Sequence, residues 1–455
     1  GSLNQNENNA TYTEPTYTEQ ILQEEVGSLT DLLERDARGN VRQSIGNCML
    51  VFERDELLRG SLRYNLLTQR VDIVKPLGWD REGTALNDID EKYIQLHMEE
   101  CYGLTNDKKI RTAMEITADK NSYHPIREYL NALTWDGQER IQHALHRYLG
   151  AEEYEYTYNV LKLFMLGAIH RAFTPGCKFE FMLCLVGGQG AGKSSFFRLM
   201  AVKDEWFSDD LRRLEDENVY RKLQGHWIIE MSEMIATASA RSIEEIKSFL
   251  SRQKETYKVP YETHPKDRLR QCVFGGTSNS LDFLPLDRTG NRRFMPVLVN
   301  PEKAEKHLLD DEKEAREYID QMWAEAMDIY RSGDYELRFS PEMQKKVREV
   351  QANFMPEDSN TGIIQAFLDD FKGDYVCTLL LYREALHGLS DTPKSWELRE
   401  ISNIMNNSIT GWESASQHRF KEYGQQRSWK RVPAHPLTMD GFIDVTETEQ
   451  LPDGW

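Results

Sequence analysis

Residues 179–203 read FEFMLCLVGGQGAGKSSFFRLMAVK. The apolar run from Phe181 to Val186 has the length of a buried strand. Gly187-Gly188-Gln189-Gly190-Ala191-Gly192-Lys193-Ser194 then fits G-x-x-x-x-G-K-[ST] without a mismatch, and Ser195 follows. Phe196, Phe197, Leu199 and Met200 continue at helical spacing. A bare glycine-rich turn needs neither flank, whereas strand, glycine-rich loop and helix together are the context of a phosphate-binding loop. Glycines let backbone N–H groups close around a polyphosphate, and the helix N-terminus adds a favourable dipole. Lys193 is expected to reach the β- and γ-phosphates and the Ser194 hydroxyl to bind Mg²⁺. ATP and Mg²⁺ are therefore the expected cofactors, with Gly188, Gln189, Gly190, Ala191, Gly192, Lys193, Ser194 and Ser195 as the binding loop.

Working outward, residues 225–233 read GHWIIEMSE, an apolar strand ending in two acids. An ATPase needs one acid there for the metal and a second to orient the attacking water. Glu230 takes the metal role and Glu233 the water role, although the two are separated rather than adjacent. A solvated acidic turn after a strand is the plainer account. Residues 273–279, VFGGTSN, form another buried strand ending in polar residues, and Asn279 at its end suits a sensor of the γ-phosphate. Arg288, Arg292 and Arg293 follow shortly after, as candidates for a finger inserted into a neighbouring subunit's nucleotide. From Lys193 to Arg293 is 100 residues, so the expected catalytic set is compact.

Between the acidic strand and the Asn279 strand lies a helix from Ile243 to Leu250, then residues 251–270. These read as two strands with a basic tip. Arg252, Lys254, Lys258, His264, Lys266, Arg268 and Arg270 are concentrated there, interleaved with Tyr257 and Tyr261. Such a set suits contact with a single-stranded nucleic-acid backbone, and Lys258, His264, Lys266 and Arg268 are the expected DNA-binding residues. A solvated hairpin edge is the competing account.

The chain has 455 residues and a formal net charge of −19, so any nucleic-acid surface must be a local basic patch. Nothing approaches a membrane span, and no signal peptide is recognisable. Six scattered cysteines without a C-x-x-C pair argue against zinc and against a disulfide framework, and for a reducing cytoplasm. Residues 1–20 are polar and read as a disordered tail. Residues 21–150 read as a mostly helical collar, with helices at 88–102, 108–117 and from Pro125, and a strand at 71–74. The collar is structural, or also serves oligomerisation or DNA passage. Residues 151–335 are the ATPase core. Residues 336–455 read as a small C-terminal domain with helices at 361–371, 378–388 and 396–406, a strand at 427–432 and an acidic tail. That order suits a winged-helix-like unit. Its basic and aromatic residues at 418–423 and 427–431 suit either a nucleic-acid backbone or a solvated wing.

Seven segments resemble the virulence-associated protein E family of phage and mobile-element replication proteins, within the superfamily three helicase-like AAA+ ATPases. They are YHPIREYLNALTWDGQERI (123–141), PGCKFE (175–180), GGQGAGKSS (187–195), WIIEMSEM (227–234), KSFLSRQKETYKVPYE (247–262), CVFGGTSN (272–279) and DRTGNRRFMPV (287–297). The resemblance implies an α/β AAA+ core with a parallel sheet, and an ATP-dependent DNA helicase of a mobile element. It further implies a homo-oligomeric, hexameric ring on single-stranded or forked DNA, in the cytoplasm of a bacterial host alongside host replication proteins. It places phosphate and Mg²⁺ binding on Lys193 and Ser194, the acids on Glu230 and Glu233, the sensor on Asn279 and the finger within 288–293. Many relatives carry a primase-like domain upstream, for which the chain ahead of the core is too short. The alternative is an ATPase switch or loader for replication initiation without processive unwinding.

Overall fold

The computed structural model describes residues 29–211, 214, 219–232, 240–257, 266–281, 283–284, 291–354, 360–388 and 390–432, with backbone alone at 240–244, 256–257 and 266. The tails, Glu233, Lys258, His264, Arg288 and the expected linker at 355–359 lie outside the described residues. The described residues fall into two units, those within 1–281 and 292–350 and those within 282–291 and 351–455.

The first unit opens with α1 (Ile45–Arg54), capped by the Ser44 side chain accepting from Asn47 N–H. The antiparallel pair β1 (Leu62–Asn65) and β2 (Arg70–Ile73) follows. Next is α2 (Asp88–Tyr102), the span expected from its apolar spacing. Asn87 and Asp90 form a capping box at its start, and Gly103 closes it at φ 65°, a left-handed angle that glycine adopts without strain. With α3 (Asp107–Lys120) these elements enclose a separate apolar cluster around Val51, Phe52, Leu58, Ile94, Met98 and Ala113.

The second cluster forms around a parallel sheet. Its strands are β3 (Met182–Val186), β4 (Phe207–Ser208), β5 (Ile228–Ser232), β8 (Val273–Ser278) and β9 (Phe294–Leu298), in the order β4-β5-β8-β3-β9. β3 is an interior strand, between β8 and β9, and is buried at all five residues, because neighbours occupy both edges and helices both faces. The protein is therefore a mixed α/β fold with a five-stranded parallel sheet. α6 (Glu155–Phe173) has 13 of its 19 residues buried, so it is apolar all round rather than striped. α8 (Val219–Leu223) and α9 (Ala240–Ser251) stand before and after β5 in the chain, and α4 (Pro125–Ala132), α5 (Ile141–Leu149), α10 (Glu312–Ser332) and α11 (Pro341–Ala352) pack into the core around the sheet. That core therefore runs past the boundaries expected at 150 and 335: Ile126, Leu130 and Tyr148 belong to it on one side, Met343 and Val347 on the other. Among the described residues no helix is long and apolar enough to cross a membrane.

α7 (Lys193–Met200) leaves the glycine-rich loop and lies against β8, with Phe197 touching the backbone of Gly275. A methyl group at Gly275 would sit 2.3 Å from the Phe197 ring. Gly275→Ala is expected to cost about 1–3 kcal/mol of stability by overpacking. The check is a lowered thermal midpoint with weakened nucleotide affinity; an unchanged midpoint would mean the helix shifts freely.

The second unit contains α12 (Asn360–Asp370), β10 (Tyr375–Val376), α13 (Thr378–Leu380) running into a π turn at Leu381–Ala385, and α14 (Ser395–Asn407). A hairpin of β11 (Trp412–Phe420) and β12 (Gly424–Arg431) completes it, with sheet order β10-β12-β11. Ile364, Leu368, Leu381, Ile401, Met405, Trp412 and Trp429 form its core. β11 was not legible in the sequence, because only Trp412 in it is buried and no apolar alternation marks it. Its partner β12 makes it a strand.

Candidate nucleotide-binding site

β3, β8 and β5 are neighbours and parallel, so their carboxyl ends open on one crevice, the usual place for a ligand in such sheets. The loop after β3 carries Gly190 and Gly192 at φ 78° and 85°, angles that side chains other than glycine rarely adopt. α7 then begins at Lys193 with Gly192 as its cap. The buried Lys193 Nζ donates to Gly187 O at 2.8 Å, Gly188 O at 2.7 Å and Asn279 Oδ1 at 3.0 Å. Burial pulls its pKa below the ordinary lysine value, and the nearby Glu230 carboxylate opposes that shift.

Glu230, on β5, is 1% exposed. Its Oε1 accepts from Ser194 Oγ and from Thr277 Oγ1, each at 2.7 Å. Its Oε2 is buried and has no hydrogen-bond partner among the described residues. A buried carboxylate oxygen left unpaired is costly unless something else takes it up. With the Ser194 hydroxyl beside it, this is a donor set that fits a hard divalent cation such as Mg²⁺. The crevice is a cavity of about 620 Å³, lined by Gln189 to Ser195, Ser232, Thr277 to Asn279, His307 and Leu309. That volume is of the size ligand clefts usually have.

Sequence reasoning did not find Thr277, His307 or Leu309 as lining residues. Thr277 was inside the quoted strand, and a hydroxyl two residues before an expected sensor was its only signal. His307 comes from the turn after β9 and faces Gly192 across the cavity. Its Nδ1 accepts from Leu309 N–H at 3.1 Å, which leaves the proton on Nε2 in the neutral ring.

Arg292 and Arg293 are placed elsewhere. They form a turn of 3-10 helix (Asn291–Arg293) ahead of β9, at the amino edge of the sheet. The five residues of β9 separate them from the carboxyl edge, about 17 Å at a strand's rise per residue. Both face Glu180, Arg292 at 3.5 Å and Arg293 at 3.3 Å, and Arg293 Nε also donates to Ser251 Oγ at 3.0 Å.

The expected hairpin exists: β6 (Lys254–Tyr257) pairs antiparallel with β7 (Lys266–Leu269). One of its expected DNA contacts does not hold. Arg268 is buried and donates to Gln69 Oε1, so it is not on the hairpin's open surface. Residues two apart share a strand face, and Arg270 is buried beside it, in contact with Glu255 and donating to Phe249 O at 2.6 Å. Arg252 donates to Tyr220 OH at 2.9 Å, and Lys254 pairs with Asp267 at 2.6 Å. Four of the cations counted in sequence thus hold the hairpin in place. Lys266 lies on β7 with only its backbone described.

Residues 130–356 match the family model for the virulence-associated protein E-like domain. The chain carries a domain of that family. The match runs from α4 to just beyond α11, so the virulence-associated protein E-like domain contains the parallel sheet, the glycine-rich loop and the hairpin. Among solved structures, the A form apo structure of the NrS-1 C terminal region aligns at 13% identity and TM-score 0.41, covering 82% of this chain and 96% of that one. Another apo structure of the NrS-1 C terminal region aligns at 12% identity and TM-score 0.40, over the same shares. No curated protein matches the chain.

Proposed function

We propose that this chain is an ATP-dependent DNA helicase of a phage or mobile genetic element, with an AAA+ core that hydrolyses ATP between the subunits of a ring. The reading is carried by Glu230: a buried carboxylate held by Ser194 and Thr277, one oxygen open, directly beside the phosphate loop. β8 lies between β3 and β5, so Asn279 stands between the lysine and the acid, where a carboxamide can orient water. On phosphate binding, Lys193 exchanges its carbonyl partners for phosphate oxygens and frees Asn279 for that task. Ser194 and Glu230 would hold Mg²⁺, which would supply neutralisation of phosphate charge. Arg292 and Arg293, at the far edge of the sheet, suit a finger directed at the next subunit, with Glu180 holding them until then. The helices and hairpin of the second unit suit a winged helix. Single-stranded or forked DNA in the bacterial cytoplasm, a hexameric ring and host replication proteins complete the proposal.

The alternative, a switch or loader without processive unwinding, gains from the burial of Arg268, which removes one cation from the hairpin's DNA-facing set. ATP hydrolysis with and without single-stranded DNA separates the two, because a motor is stimulated and a switch is indifferent. The interface is tested by mixing Lys193→Ala with Arg293→Ala. Each variant alone is expected to be inactive, and the mixture to recover turnover at interfaces that combine the intact lysine of one subunit with the intact arginine of the next. Full activity of Arg293→Ala alone, or a mixture as inactive as its parts, would remove Arg293 from the site.

A further inference from the structure

The outward face of the hairpin in the second unit carries a column of aromatic rings, of which only Phe420 also packs against the unit's apolar core. Tyr375 of β10 and His418 of β11 stack with centroids 4.2 Å apart and planes within 3°. Phe420 meets His418 edge-on at 5.0 Å. Between the two strands runs β12, where Tyr375 pairs with Lys430 and His418 with Gln426. The residue midway on β12 is Ser428, small and fully buried, and its Oγ donates to Ser416 O at 2.6 Å. A large side chain at that position would separate the rings. The core side of the same sheet is filled by Trp412 and Trp429. Tyr375 keeps 37% of its surface exposed, so the column has an open end.

The charge around it is positive in a strongly acidic chain. Residues 410–432 hold five Lys and Arg against two Glu. Lys430 lies on the column's face, in an exposed pair with Glu413 that contributes little stability. Lys421 sits in the turn at the Phe420 end, exposed and without a partner among the described residues, and Arg419 and Arg427 are likewise exposed on the reverse face of the hairpin. Stacked rings on a strand surface with cations at the margin match the two halves of a nucleotide: a flat base and a phosphate. A duplex hides its base faces, so the column offers nothing to it beyond charge.

We propose that this face is a second nucleic-acid site, binding single-stranded DNA by stacking an unpaired base on Tyr375 while Lys430 and Lys421 meet the phosphates. It does not depend on nucleotide hydrolysis. The test is fluorescence anisotropy of labelled oligothymidine with the full chain, without nucleotide, in a Lys258→Ala/Lys266→Ala background that removes two of the cations expected to bind DNA in the first unit. Tyr375→Ala and His418→Ala are each expected to weaken binding about tenfold, and Tyr375→Phe to restore it, since one lost base stack has that effect. Lys421→Glu, in an exposed turn with no packing role, is expected to weaken binding severalfold and to reduce the salt slope by about 0.7 or more. It keeps the test decisive where an alanine variant unfolds. Parent-like affinity in Tyr375→Ala and Lys421→Glu would overturn the proposal. So would competition by a blunt duplex as strong as that by the single strand, which would mean that backbone charge alone is read. Loss of ATP turnover in the parent would bear on the hydrolysis reading and leave this binding result intact.

Discussion

Lys193→Ala is expected to lower ATP turnover by at least about 10²-fold, the scale of losing one well-placed donor to the transferring phosphoryl group. The expectation rests on where the ammonium already is. It is buried and fixed by Gly187, Gly188 and Asn279, and both it and Asn279 line the crevice that would take the phosphates. Without the lysine, the exposed Gly188 and Asn279 take water as partner, so the loss to the empty protein's stability is small. The discriminating readout is ligand-induced stabilisation. Saturating ATP at about 100 times its dissociation constant adds about 2.7 kcal/mol to the parent, visible as a rise in thermal midpoint. The variant is expected to lose that rise while keeping the midpoint of the empty protein. Burial lowers the Lys193 pKa, so nucleotide affinity is expected to decline on the alkaline side earlier than for an ordinary lysine. Retained turnover and a retained thermal shift would mean that the loop binds something other than a polyphosphate.

Glu230→Gln is the second large effect and separates metal binding from fold. The amide keeps one oxygen for Ser194 and Thr277 and puts an NH₂ where the open Oε2 stands. Turnover is expected to fall by about 10²–10³-fold, as for loss of a preorganised electrostatic contact. ATP affinity is expected to become insensitive to Mg²⁺, which titration with and without a chelator reads directly. Stability should stay level or rise, since a buried charge that costs desolvation is removed. Glu230→Ala would behave differently, because both hydroxyls lose their acceptor. If Glu230→Gln kept its Mg²⁺ dependence, the metal would have to be held by other groups, and Glu230 would be a purely structural acceptor for the two hydroxyls.

The glycine-rich loop and its flanking strand and helix were legible from sequence because their signals are contiguous. Gly190 and Gly192 take left-handed angles, and Lys193 follows within one turn, so neighbours in sequence are neighbours in space. The end of β8 just before Asn279 was legible for a similar reason, an apolar run closing on polar residues, whereas β5 runs on through Glu230 to Ser232, so that acid is buried inside its strand rather than at its end. The family match over residues 130–356 agrees with the motifs that suggested it. The role of Arg268 was not legible. A cation count cannot say which face of a strand turns inward, and Gln69, which receives it, is far away in the chain. Nor could the sequence pair Glu180 with Arg292 and Arg293, since that depends on β3 and β9 lying side by side in parallel. The open oxygen of Glu230, the approach of His307 to Gly192 and the Tyr375–His418 column are of the same kind. By itself the sequence determined the local backbone and the chemical types at the phosphate loop, because these depend on residues a few positions apart. Only the tertiary structure decided which charges are buried, which are partnered and which remain open to a ligand, because strand register and helix packing bring those partners from distant parts of the chain.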